Sequence, residues 1–214
     1  KMKIKVCGIS SVDEALALHK EGVNYMGFIF YPASKRYVLN ALTLEQIKNI
    51  QMPGVLKVGV FVNEPMEKVI ATATAAGLDM VQLHGDETPN YCKEMANHYP
   101  VIKAFRISEI DDVAYKISEY LEDIDYLLFD TASSVYGGSG ISFDWKKLAN
   151  ATGQKPYFLS GCIGPDDVSK ITSFVQSDAA GNCIAVDINS KFETAPGQKN
   201  IQLLQSFIPT IKAL

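Results

Sequence analysis

The sequence of 214 residues is short of cysteine, of tryptophan and of long apolar runs. Its four cysteines, Cys7, Cys92, Cys162 and Cys183, are widely spaced and form no CxxC pair, which argues against a zinc site or a disulfide framework. No apolar run approaches the roughly 18 residues that cross a bilayer as a helix, so no membrane partner is expected. There is no cationic excess: the net charge is −4, whereas a general nucleic-acid binder carries a basic footprint. An anionic small molecule stays compatible, because a local Arg and aimed N–H groups make a positive spot in an acidic protein. Low-complexity segments, composition shifts and linkers are missing too, so residues 1–214 are expected to form one domain. The chain enters an apparent strand at Lys3, which leaves no room for a signal peptide. A reducing cytoplasm is the expected compartment.

What is present is ordinary for a globular protein, 47% hydrophobic and 21% charged. Short apolar runs rich in Val, Ile and aromatics recur at Lys3–Cys7, Asn24–Phe30, Val55–Val62, Asp79–Leu83, Val101–Phe105, Tyr126–Asp130, Tyr157–Ser160 and Cys183–Ile188. Helix-like stretches separate them: Ser11–Glu21, Leu42–Ile50, Pro65–Ala76, Pro89–Asn97, Ile110–Leu121 and Pro165–Phe174, with a last helix over Ile201–Ile211. Ser11 with Glu14 reads as a capping box. Gly22 and Gly77 stand where helix ends want a left-handed residue. Strands alternating with helices imply a parallel sheet, and eight such units in this length fit a compact α/β fold of the (β/α)8, or TIM, barrel type. An open doubly wound sheet is the alternative.

In such a barrel the chemistry sits at the C-terminal ends of the strands. Polar and glycine residues concentrate there in this chain. On the first strand, alternation puts Lys5 and Cys7 on the face opposite Ile4 and Val6, hence toward the barrel interior. A buried Lys needs a partner, and Asp187 on the eighth strand is the candidate. A nearby ammonium would favour a Cys7 thiolate; a small buried hydrophobe is the commoner role of a lone cysteine. Asp130, closing an apolar strand, either caps a loop or does proton chemistry. Gly138 lies in the run Gly137-Gly138-Ser139-Gly140, which is not a dinucleotide fingerprint. Ser160-Gly161-Cys162 and Asp187-Ile188-Asn189-Ser190 end the last two strands, where such barrels commonly bind phosphate. Arg36 is either a carboxylate clamp or a solvated loop residue. His84 either lines the mouth or makes a structural hydrogen bond. No His, Asp and Glu cluster has metal-ligand spacing.

These segments, taken in order and nearly end to end, resemble the phosphoribosylanthranilate isomerases of tryptophan biosynthesis. The resemblance rests on Lys5-Val6-Cys7-Gly8-Ile9, on Gly27-Phe28-Ile29-Phe30-Tyr31-Pro32 with Ser34-Lys35-Arg36-Tyr37-Val38, and on Val58-Gly59-Val60-Phe61-Val62-Asn63. It continues through Val81-Gln82-Leu83-His84-Gly85, Asp130, Tyr136-Gly137-Gly138-Ser139-Gly140 and Phe143-Asp144-Trp145. It closes with Leu159-Ser160-Gly161 and Asp187-Ile188-Asn189-Ser190, followed by Glu193, Pro196 and Gly197.

The resemblance implies an Amadori rearrangement of a phosphosugar, with Asp130 as general acid and Cys7 as general base. It implies a carboxylate site at Arg36 and substrate contacts at His84, Gly138, Gly161, Cys162, Asp187, Asn189 and Ser190. No metal and no organic cofactor are implied, and the chain would act as a monomer or homodimer. For these roles the Asp130 pKa should be raised by partial desolvation and Cys7 should be partly thiolate. Two positions depart from the family: Cys162 and Lys191 stand where glycine is usual, and a positive φ at Lys191 would cost roughly 1 kcal/mol. A histidine-pathway isomerase, which resembles this family but uses carboxylates as acid and base, is the nearest alternative. A catalytically silent phosphosugar-binding module is another.

Overall fold

The structure, a computed structural model, describes residues 1–132 and 143–214. The chain closes on itself as a barrel of eight parallel strands in sequence order. They are β1 (Lys3–Val6), β2 (Tyr25–Ile29), β3 (Leu56–Phe61), β4 (Met80–Leu83), β5 (Val101–Ile107), β6 (Tyr126–Thr131), β7 (Tyr157–Leu159) and β8 (Cys183–Ile188). Closure is made by β8 pairing with β1, which sets Lys5 opposite Asp187. The open-sheet alternative is thereby excluded.

Strand alternation produces two apolar layers. Ile4, Val6, Met26, Phe28, Val81, Leu127, Phe129 and Val186 face outward and pack beneath the helices. Tyr25, Val58, Met80, Ile102, Leu128, Phe158 and Ala185 fill the inside. There Phe158 meets Tyr25 edge-on at 5.0 Å and Tyr126 at 5.8 Å between ring centroids. The interior below the mouth is therefore a packed core, and the open space lies above it.

The outer helices are α1 (Val12–Lys20), α2 (Leu44–Asn49), α3 (Met66–Ala75), α4 (Pro89–Met95), α5 (Val113–Ile117), α6 (Val168–Val175) and α7 (Ile201–Lys212). Two local expectations need correction, and a third feature was not anticipated. Ser11 caps α1 through the Glu14 N–H, but the box is not completed, because the Glu14 carboxylate accepts the Lys199 N–H at 2.6 Å instead. α5 is much shorter than the Ile110–Leu121 run. Asp111 accepts the Ser108 N–H in a turn and Asp112 caps the helix, so local side-chain bonds outcompete the first helical turn. Third, a two-stranded antiparallel hairpin, β9 (Glu193–Ala195) with β10 (Gln198–Lys199), follows β8 and carries no apolar pattern that would announce it. Gly22 and Gly77 do end α1 and α3 with positive φ. No helix among the described residues is long and apolar enough to cross a membrane.

Candidate active site

Because every strand runs the same way, all eight C-terminal ends converge on one rim. They enclose a cavity of about 760 Å³ to which each strand or the loop after it contributes. Cys7, His84, Asp130, Gly161, Cys162, Asp187, Asn189 and Ser190 all line it. Arg36 does not, and Gly138 lies outside the described residues.

The β8–β1 side holds a buried charge pair. Lys5, fully buried, donates to Asp187 Oδ1 at 3.2 Å, and Ser160 Oγ donates to Asp187 Oδ2 at 3.1 Å. Both Asp187 oxygens are thus occupied from within the protein. Burial pulls Lys5 down, but the Asp187 carboxylate and the nearby Cys7 outweigh it and hold the ammonium above its ordinary range. Cys7 follows β1, and its N–H donates to Ile188 O at 2.9 Å. Its buried thiol goes against expectation. Burial pushes its pKa up, Lys5 pulls it back only in part, and the Asp187 charge adds to the rise. At neutral pH Cys7 is therefore a thiol.

Asp130 faces it from β6 and is also opposite to expectation. Burial pushes its carboxyl up, but a hydrogen bond and charge from His84, the Thr131 N–H and the charge of Arg106 bring it below the ordinary carboxylate range. His84 Nε2 lies 3.3 Å from Asp130 Oδ2, and the Thr131 N–H donates to Oδ1 at 2.8 Å. His84 Nδ1 meets Gln82 Nε2 at 2.9 Å. His84 thus does both things the sequence allowed: it lines the mouth and makes a structural bond. The one proton available to the Cys7–Asp130 pair rests on sulfur.

The β6 end fits only because its neighbour is glycine. A Cβ at Gly161, whose φ is +92°, would lie 2.4 Å from Thr131 Oγ1 and 2.9 Å from Asp130 Oδ1. Cys162 follows at φ +57°. The left-handed residue at a departure from the family is therefore Cys162; Lys191 is not left-handed. The Lys191 stem instead lies over Gly164, its Cδ 2.9 Å from where a Cβ there would stand.

Arg36 sits beside the cavity, with Nε at 2.8 Å and Nη2 at 2.6 Å from Glu193 Oε1. Gln82 and Arg106 are among the lining residues given no role from sequence. Alternation carried the signal for both. Met80 and Gln82 share a face of β4, and Ile102, Ala104 and Arg106 share a face of β5 whose other members fill the interior.

Known proteins match this chain over nearly its whole length. The family model described as N-(5'phosphoribosyl)anthranilate (PRA) isomerase matches residues 4–210. N-(5'-phosphoribosyl)anthranilate isomerases of Parabacteroides distasonis and Phocaeicola vulgatus are each 40% identical, covering 98% and 99% of this chain and 93% and 98% of theirs. The crystal structure of phosphoribosyl anthranilate isomerase from Thermotoga maritima superposes with a TM-score of 0.85 at 35% identity, with 100% of both chains covered. A second isomerase structure, in complex with reduced 1-(o-carboxyphenylamino)-1-deoxyribulose 5-phosphate, gives 0.82 at 32% identity, again with 100% of both chains covered. With a family model spanning nearly the whole chain and relatives at this identity, the chain belongs to the N-(5'-phosphoribosyl)anthranilate isomerase family.

Proposed function

We propose that this chain converts N-(5-phosphoribosyl)anthranilate to 1-(2-carboxyphenylamino)-1-deoxyribulose 5-phosphate by an Amadori rearrangement, a step of tryptophan biosynthesis. The observation that carries the reading is one cavity lined by Cys7, by Asp130 and by the two loops expected to bind phosphate. Asp130 delivers a proton to the ribose ring oxygen, and the C1–O bond breaks as the nitrogen lone pair forms a Schiff base. Cys7 then removes the C2 proton, and the electrons move into an enolamine. Proton return at C1 and tautomerisation give the ketone. Only protons move, and each acid–base step is worth roughly 10²- to 10⁴-fold.

The directions of the two pKa shifts add a condition. The acid must be neutral and the base anionic, yet both shifts favour the proton on sulfur. The reacting form is the same pair with the proton on Asp130 in place of Cys7. Its proton count is unchanged, so it exists at any pH between the two titrations, as a minor tautomer. Lys5 stabilises the thiolate when it forms. Arg36 holds the anthranilate carboxylate and the β7 and β8 loops hold the phosphate.

The test is a fluorescence assay following the disappearance of freshly made phosphoribosylanthranilate. Cys7→Ala and Asp130→Asn should each lower turnover by at least about 100-fold with the thermal midpoint retained. A near-native rate in either folded variant refutes the assignment.

A further inference from the structure

The hairpin after β8 carries two charged side chains that the reaction as written does not use. Its cross-strand pair is Glu193 with Lys199. Their side chains are 3% and 0% exposed, unusual for charges on so short and polar a hairpin. The hairpin is fixed to the start of the barrel: Ser10 Oγ donates to Gly197 O at 2.7 Å, and the Lys199 N–H donates to Glu14 at 2.6 Å.

Within it, Glu193 is saturated. Oε1 accepts Arg36 Nε and Nη2 at 2.8 and 2.6 Å, and Oε2 accepts Lys199 Nζ at 2.9 Å and the Gly197 N–H at 3.1 Å. Lys199 Nζ also donates to Asn189 Oδ1 at 2.8 Å, and Asn189 lines the cavity. Burial pushes the Glu193 carboxyl up, but the bonds from Arg36 and the charge of Lys199 outweigh it. The chain of contacts runs from the Arg36 loop to the β8 loop past Gly8, whose φ is +75°. A Cβ there would stand 2.7 Å from Asn189 Oδ1 and 3.0 Å from Arg36 Cδ, so only glycine after Cys7 lets both pass.

The chemistry of this cluster is directional. One carboxylate faces Arg36 and Lys199, and burial holds the Lys199 ammonium below its ordinary value. Glu193 uses the Nε–Nη2 edge of the guanidinium, and the Nη1 end is uncommitted among the described residues. A planar fork held by one edge is preorganised to bind a carboxylate with the other. We propose that Glu193 and Lys199 are positioning residues that act through Arg36, setting its free edge for the substrate's aromatic carboxylate. The inference rests on the Arg36 role given under Proposed function.

Four variants of the full chain separate the two readings. Arg36→Met alone should raise KM at least about tenfold; if it does not, the carboxylate role of Arg36 fails and the brace with it. Glu193→Gln keeps the shape but faces Lys199 with an amide, and should raise KM about tenfold while kcat stays within about twofold. Glu193→Asp keeps the charge and withdraws the carboxylate by one methylene, giving a smaller rise of the same kind if the glutamine variant fails to fold. The double variant Arg36→Met with Glu193→Gln should bind no more weakly than Arg36→Met alone. Inhibition by inorganic phosphate should be unchanged in all of them, while competition by anthranilate weakens. Additive losses in the double variant, an equal loss in phosphate affinity, or an unchanged KM in a folded Glu193 variant overturns the proposal.

Discussion

Asp187→Asn isolates the electrostatics of the barrel floor. The substitution is nearly isosteric and leaves Ser160 a partner. It removes the charge that faces Lys5 at 3.2 Å, and Lys5 is completely buried. Removing one partner of a buried pair costs about 3 to 5 kcal/mol, because the remaining charge is uncompensated. A domain has roughly 5 to 15 kcal/mol in total. At about 2 to 4 °C per kcal/mol for a chain of this size, the midpoint should fall by roughly 6 to 20 °C.

The pH dependence gives the sharper test. In the native chain Lys5 titrates above its ordinary value of 10.5, so its contribution is complete at neutral pH and is lost as pH rises through its folded value. In Asp187→Asn, burial still pulls Lys5 down and its largest opposing influence is gone. The folded protein then binds fewer protons at Lys5 than the unfolded chain, and stability rises with pH. The deficit against the native chain should be largest near pH 7 and shrink toward about pH 10. Denaturant titrations at several pH values measure this directly. A loss below about 1 kcal/mol at pH 7, or one that does not change with pH, refutes the reasoning. Lys5→Met with Asp187→Leu should recover most of the stability and none of the activity.

With Asp130 held low and Cys7 held high, kcat/KM corrected for substrate ionisation should be flat over about pH 5 to 8. Activity falls below that window as Asp130 gains a second proton for the pair, and above it as Cys7 loses the only one. A narrow bell with both limbs inside the window contradicts the directions of both shifts. Cys162→Gly relieves a φ of +57° and should stabilise the fold by about 1 kcal/mol, read as a rise of about 2 to 4 °C in Tm. Lys191→Gly should weaken inhibition by inorganic phosphate about threefold, since its stem overlies the β7 loop at Gly164. Unchanged affinity removes Lys191 from the phosphate site.

The barrel was legible because its determinants are local. Each strand is an apolar run bounded by punctuation, and five of the seven helices carry a side-chain N-cap, so all eight strands fall within two residues of the runs read from the sequence. Alternation on β1 and β8 also placed Lys5 against Asp187 before any coordinates. The misread features have separate causes: Glu14 turns from its capping box to the distant Lys199, local bonds to Asp111 and Asp112 shorten α5, and the Glu193–Lys199 hairpin has no pattern of its own.

The sequence by itself determined the alternation of strands and helices, the rim on which polar residues gather, and the identity of the thiol and the carboxyl there. Periodicity and residue type are properties of the chain, and they survive translation into a parallel barrel with little ambiguity. Only the tertiary structure decided the protonation of those two groups. A pKa is set by burial and by charges brought from other strands: Asp187 acts on Cys7, and His84 and Arg106 act on Asp130, from other strands of the closed ring, and none of those distances is written in sequence spacing.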